Sequence, residues 1–187
     1  MDAVDLLLNR TSMPRLTAPG PDAKALKLLE KAALRVPDHM GLTPYRCDVF
    51  SGERLQGLSE TFAAVAQLEG LPDVEQQRAP QLPLRAPCVI AIVTAYVDHP
   101  KVPRQEQYAS AACATLAMQQ MAFALGLGAI WRTGIFAESE HMKAELGVSL
   151  DNDIVGFLYI GTPAVPTPIK PEKEKLIFSF GAAAKQE

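Results

Sequence analysis

From Glu106 to Gly126 the chain runs for about six helical turns on Ala, Ser, Met, Leu and Gln, with no proline and no glycine before the end. No other stretch is so continuously helical. Ala109, Ala111, Ala112, Ala114, Ala117, Ala122 and Ala124 lie all around this helix, and Leu116, Met118, Met121, Phe123 and Leu125 supply bulk. A helix apolar on every side must be buried on every side. Its small side chains also admit a second backbone at close range. The pattern therefore predicts a central helix packed against its own sheet or a second subunit. The helix leaves through Gly126-Leu127-Gly128 into a turn, Ala129-Ile130-Trp131-Arg132-Thr133-Gly134, which carries the sole tryptophan.

A chain of 187 residues is expected to form one domain, 1–187, with a substantial core. Its net charge of −3 and 18 scattered basic residues lack the electrostatic footprint of a nucleic-acid binder. Cys47, Cys88 and Cys113 are widely spaced among apolar neighbours, as expected of reduced, buried thiols. The start Met1-Asp2-Ala3-Val4-Asp5 is acidic where a signal peptide would be basic, and no apolar run reaches membrane-spanning length. A cytoplasmic protein is expected.

Residues 2 to 9 read as a short helix with Leu6, Leu7 and Leu8 inward. It stops before Arg10-Thr11-Ser12-Met13-Pro14-Arg15, two cations and two hydroxyls within six residues. Guanidinium and hydroxyl donors match phosphate oxygens, although from composition alone a solvated surface loop is the more economical reading. Asp22 is placed to cap a helix whose inner face is Leu26, Leu29, Ala33 and Val36. Two prolines and a glycine then fix the loop Pro37–Tyr45, with Arg35 and His39 at its mouth. A lone loop histidine is more often a hydrogen-bonding surface residue than a ligand.

Tyr45 to Phe50 predicts a strand, and Ser51 a cap for a helix with inner face Leu55, Leu58, Phe62 and Val65. Gly70 to Pro87, interrupted by four prolines, is expected to be variable and without regular structure. Cys88–Ala95 and Ile154–Gly161 are continuous β-favouring runs, the signature of strands covered on both faces. Between them Ser139–Leu146 reads as a short helix stopped by Gly147. The segment 162–187 is expected to be an extended tail whose apolar Leu176-Ile177-Phe178-Ser179-Phe180 docks on the sheet or on a partner subunit.

The chain has no Gly-x-Ser-x-Gly elbow, His-Glu-x-x-His, Walker loop or Cys-x-x-Cys. Gly126-Leu127-Gly128 is too short for a dinucleotide fingerprint and follows a helix where that motif follows a strand. His39, His99 and His141 lack metal-ligand spacing. Three donor clusters remain at the ends of predicted helices: Arg10 to Ser12, Arg35 with His39, and Trp131 to Thr133.

Together these clusters resemble the nitroreductase family of FMN-dependent oxidoreductases, over nearly the whole chain. Arg10-Thr11-Ser12 is similar to the family's Arg-Arg-Ser, and Val36-Pro37-Asp38-His39 with Thr43-Pro44-Tyr45-Arg46 to its Ala-Pro-Ser and Gln-Pro-Trp loop. Leu125 to Trp131 is similar to its Gly-Leu-Gly-x-x-Trp exit, and Val155 to Pro163 to its late strand ending Gly-x-Pro. The likeness is greatest to small single-domain bacterial members, which share Pro-Asp-His, Lys-Val-Pro-Arg, Ile-Trp-Arg and Val-Gly-Phe-Leu-Tyr. Thr11 stands where the family has a second arginine, Pro14 where many relatives have a basic residue, and Tyr45 where they have tryptophan.

The resemblance implies an α+β fold, a mixed and mainly antiparallel central sheet flanked by helices, with the long helix at a homodimer interface and FMN shared between the subunits. It implies that Arg10, Thr11 and Ser12 hold the phosphate and ribityl end. Trp131, Arg132 and Thr133 would approach the flavin from the same chain, largely through backbone amides, and Arg35 and His39 would come from the other chain. Either Arg15 or Arg35 would supply the positive charge near the flavin pyrimidine. The implied activity is a ping-pong transfer of hydride from NAD(P)H to FMN and on to nitroaromatics, quinones or similar electron-poor acceptors, with no metal and no protein nucleophile. A flavin-binding protein without turnover, or reductive dehalogenation on the same scaffold, are the alternatives.

Overall fold

In the computed structural model of the chain, the run Cys88–Thr94 is buried at every residue, and the rest of the fold is layered on it. The structure describes residues 2–166 together with 168 and 171. In chain order the elements are α1 (Ala3–Asn9), β1 (Leu16–Thr17), α2 (Ala23–Ala33), β2 (Tyr45–Ser51), α3 (Glu53–Leu68), α4 (Asp73–Arg78), β3 (Cys88–Thr94), α5 (Arg104–Ala124), β4 (Gly128–Arg132), α6 (Ile135–Glu138), α7 (Glu140–Glu145) and β5 (Ile154–Pro163). The strands pair in the order β1-β5-β3-β2, with β4 also on β5. The expected antiparallel-rich sheet between helices is present, and every pairing among the described residues is antiparallel.

The alternation of side chains along β3 divides the core in two. Cys88, Ile90 and Ile92 face α2 and α5 with Leu29, Ala33, Met118 and Leu158. Val89, Ala91 and Val93 face α3, α6 and α7 with Phe62, Val65, Met142, Phe157 and Tyr159. Phe62 anchors the second layer: it is 2% exposed, stacks on Phe136 at 4.3 Å between centroids and meets Phe157 edge-on at 5.3 Å. Removing its ring leaves a cavity between three elements. Phe62→Ala should therefore cost about 3–5 kcal/mol of stability, read by urea denaturation. A loss below about 1 kcal/mol would mean that this layer is loosely packed.

Several local expectations are corrected. Leu7 and Leu8 of α1 are 64% and 75% exposed, because this helix of about two turns packs mainly on α5 and has no second layer to enter. Gly52, not Ser51, stands at the N-terminus of α3, since Ser51 is still paired with Cys88 in the sheet. Gly70 to Pro87 is not irregular: it folds into α4 and two short 3-10 turns. Ala79, Pro83 and Ala86 of that segment are buried, and Ser59 donates a hydrogen bond to the Pro80 carbonyl at 2.6 Å. The exit from α5 is a strand, not a turn.

The long helix α5 is also not buried all round within one chain. Its covered residues are Gln107, Ser110, Ala111, Ala114, Thr115, Met118, Gln119 and Ala122, a single stripe at helical spacing. On other sides Tyr108 and Leu116 remain 39% and 40% exposed. The last strand runs on through Pro163, so the expected tail starts later than residue 162, and the expected docking of Leu176 to Phe180 lies outside the described residues.

Candidate functional site

The outer edge of β4 has no strand partner among the described residues. The Ala129 carbonyl instead accepts from the Met13 amide at 3.0 Å and from Gln119 Nε2 at 3.2 Å. In a strand the N–H and C=O of one residue point to the same side and alternate along the chain. Ala129 therefore faces away from β5, and so does the backbone of Trp131. Past Met13, this edge offers unpaired backbone groups leading to Thr133 and Gly134.

Two glycines permit the crowding around this edge. A Cβ on Gly128 would come within 2.6 Å of Leu16 Cδ2 and 3.1 Å of Met13 Sδ, so the residue is bare where the 10–16 segment docks. Gly156 lies at φ +147, and a Cβ there would come within 2.7 Å of the Arg132 carbonyl and overlap the Trp131 indole. With that Cβ absent, the indole Nε1 donates to the Val155 carbonyl at 3.2 Å.

The loop following α1 lies along the same edge. Arg10 caps α1 by donating its backbone N–H to Leu6, which leaves its guanidinium to point elsewhere. Thr11 is 6% exposed. The Ser12 hydroxyl lies 3.4 Å from Gln119 Nε2, so one buried glutamine bridges this loop and β4. Arg10 Nη1, Thr11 Oγ1 and Arg132 Nε are buried without a hydrogen-bond partner. Leaving a buried donor unpaired costs about 1–3 kcal/mol. Arg10 Nη1 and Thr11 Oγ1 belong to the loop that docks on the outer edge of β4 through Met13, whereas Arg132 Nε lies on the α3 side of the sheet. A cofactor with a phosphate and a polar chain fits the first two.

Trp131 and Arg132 diverge, because neighbouring strand residues project to opposite faces. Trp131 packs against the α2/α5 layer. The Arg132 guanidinium lies over the Tyr159 ring, 5.7 Å from its centroid, on the α3 side. There a cavity of ≈ 330 Å³ is lined by Phe62, Leu82, Arg85, Arg132, Phe136 and Tyr159, among others. Burial depresses the pKa of Arg85, and the nearby Arg132 and Arg78 add to that shift. Burial pushes the Tyr159 phenol up to about 12, against the opposing pull of Arg132 and Arg85, so it keeps its proton.

Arg35 and His39 stand apart from this edge within one chain. His39 Nδ1 lies 2.7 Å from Glu106 Oε2 on the first turn of α5, whereas Ser12 meets Gln119 on the same helix. At about 1.5 Å of rise per residue the two anchor points are roughly 20 Å apart. Arg35 lines a shallow groove with Leu6, Val36, Cys113 and Leu116, over the uncovered side of α5. The chain thus brings the Arg10–Ser12 loop to the β4 edge that leads to Thr133, turns the Arg132 side chain to the opposite face, and leaves Arg35 and His39 on another surface.

Burial, with Asp48 adding to it, pushes the Cys47 thiol up to about 12, and burial pushes Cys88 up to about 11, so both keep their protons at neutral pH; Cys47 and Cys113 are partly exposed, not buried as expected. Gln119, Arg85 and Tyr159 are additions that sequence reading missed. Gln119 had a signal in retrospect, a long polar side chain inside an otherwise apolar helix.

A family model described as the nitroreductase family matches residues 7–162. The chain is 40% identical over 163 residues to "Putative NAD(P)H nitroreductase YdjA" of Escherichia coli K12, covering 87% of this chain and 89% of that one. Among solved structures, a nitroreductase-like family protein from Bacillus cereus superposes with TM-score 0.79 at 22% identity, covering 92% of this chain and 91% of that one. A variant of the FMN and NADPH-dependent nitroreductase NfnB from Sphigopyxis sp. strain HMH superposes with TM-score 0.75 at 18% identity, over 98% of this chain and 100% of that one.

Proposed function

The chain belongs to the nitroreductase family, and we propose that it is an FMN-dependent oxidoreductase that takes hydride from NAD(P)H and reduces nitroaromatics, quinones or similar electron-poor acceptors. The observation that carries this reading is the pair of unpartnered buried atoms Arg10 Nη1 and Thr11 Oγ1, in the loop docked on an open strand edge. Bound there, FMN supplies a ring that accepts hydride from nicotinamide and returns the electrons to the acceptor. Everything else falls to the chain's own residues.

Arg10, Thr11 and Ser12 hold the phosphate and ribityl end, guanidinium and hydroxyl alike giving charge-assisted bonds where the acceptor is the phosphate. Trp131 and Thr133 present the outer edge of β4, where backbone donors would stabilise negative charge on a bound ring, while Arg132 between them turns its backbone to β5 and its side chain to the α3 face. Their position is held from behind by Gln119 and by the Gly156 gap. Arg35 and His39 reach the site from the other subunit of a homodimer, which also covers Leu116 and the exposed leucines of α1. That arrangement suits His39, whose anchor on α5 lies roughly 20 Å from that of Ser12 in its own chain, and Arg35, which lies over the uncovered side of α5. Arg15 or Arg35 places a cation beside the pyrimidine end.

Anaerobic addition of NADH or NADPH to the purified yellow protein tests the reading: the flavin absorbance is expected to bleach with at least one of them and to return when a nitroaromatic or quinone is added. A protein that stays yellow with both binds flavin without turnover. With one pocket serving donor and acceptor in turn, double-reciprocal plots at several acceptor concentrations should be parallel. Intersecting lines would exclude the alternation.

A further inference from the structure

We propose that the cavity between Arg85, Arg132 and Tyr159 is a carboxylate subsite, which makes aromatic acids such as nitrobenzoates the preferred class of acceptor. The inference rests on the family reading only for the word acceptor; the anion site itself stands on geometry. Two guanidiniums line one cavity of ≈ 330 Å³, a size at the low end of small-molecule sites. Neither takes part in the ion pairs found among the described residues. Within a chain carrying 21 acidic against 18 basic residues, two neighbouring cations without a carboxylate are a costly arrangement.

The compensation in place is partial. The Tyr159 ring offers its face to Arg132, yet Arg132 Nε remains buried and unpartnered. A carboxylate entering the cavity would accept from that Nε–H and from Arg85, and the protonated Tyr159 hydroxyl adds a third donor. The remaining wall is aromatic and aliphatic, from Phe62, Phe136 and Leu82, which suits a flat ring behind the carboxylate. Arg85 is held in place because Pro83 and Ala86 on either side of it are buried. The cavity abuts Arg132 and Thr133 at the end of β4, so an acid seated there has its ring next to the proposed reaction edge.

The test uses the flavin-loaded protein, Arg85→Met, which keeps the length of the side chain, and Arg85→Lys, which keeps the charge. Calorimetry with 4-nitrobenzoate should give a Kd weakened about tenfold or more by Arg85→Met, as expected for loss of a charged hydrogen bond, and partly recovered by Arg85→Lys. Steady-state reduction should show KM for 4-nitrobenzoate rising similarly while kcat and the KM for neutral nitrobenzene change less than about twofold. Equal 4-nitrobenzoate affinity in wild type and Arg85→Met would overturn the proposal. A loss confined to NADPH, with NADH and 4-nitrobenzoate unaffected, would also overturn it by assigning the cavity to a dinucleotide phosphate. Binding by calorimetry needs no turnover, so a protein that fails to bleach with NAD(P)H but binds 4-nitrobenzoate through Arg85 refutes the enzyme and keeps the subsite.

Discussion

Arg10→Ala combined with Ser12→Ala is expected to yield a folded, colourless protein. Arg10 Nη1 is buried without a partner, so alanine removes no hydrogen bond at that atom, and the packing lost with the side-chain stem is set against relief of the desolvated donor. The cap on α1 is a backbone bond, and the Ser12 contact to Gln119 is long at 3.4 Å. Thermal stability should therefore hold or rise slightly in the absence of ligand. Toward a phosphate the same two side chains offer charge-assisted bonds worth about 1.5–3 kcal/mol each. Losing both should weaken FMN by two to four orders of magnitude. The ratio of flavin to protein absorbance after gel filtration, with circular dichroism as the check on folding, reads the outcome. Unchanged flavin occupancy would remove the phosphate end from this loop.

Gly156→Ala should be the most disruptive added methyl among the described glycines. The residue sits at φ +147, where an added Cβ meets the Arg132 carbonyl at 2.7 Å and the Trp131 indole. Backbone strain of about 1–3 kcal/mol adds to overpacking of similar size, and the carbonyl cannot rotate away as a flexible side chain would. The displaced indole would also lose its bond to Val155, so tryptophan emission should shift along with the loss of about 2–5 kcal/mol in urea denaturation. Gly57→Ala is the internal control. A Cβ at Gly57 meets nothing within 4 Å inside α3, so that change should stabilise by up to about 1 kcal/mol. Equal stability of Gly156→Ala and wild type would show that β4 and β5 can separate freely at this point.

Part of this arrangement is legible in the sequence because it is local. The continuous apolar runs at Cys88 and Ile154 become the inner strands β3 and β5, and Asp22 caps α2 by accepting from the Ala25 amide at 2.7 Å. Leu55, Leu58, Phe62 and Val65 are buried at the spacing expected. Features that depend on distant partners were hidden. β4 has five residues and follows a helix that ends at Ala124 and a turn through Gly126, so its strand character comes from pairing with β5 and not from its own pattern. Leu7 and Leu8 look like core residues, but nothing in the α1 sequence states how little of the chain lies beside it.

The site divides in the same way. Arg10 to Ser12 and Trp131 to Thr133 stand out as donors at element ends, and resemblance joined them. What physically joins them is Gln119, touching both Ser12 and Ala129, a contact that requires knowing which face of α5 meets β4. Arg85 was invisible inside a proline-rich stretch without periodicity. It matters only because α3 packs Pro83 and Ala86 beneath it.

The central claim is a flavin site assembled from two chains, with Arg10 to Ser12 and the β4 edge from one subunit and Arg35 with His39 from its partner. Native mass spectrometry of the flavin-loaded protein tests it most directly. A dimer carrying two FMN molecules is expected, with FMN lost whenever the subunits separate. A stable monomer retaining one FMN would contradict it.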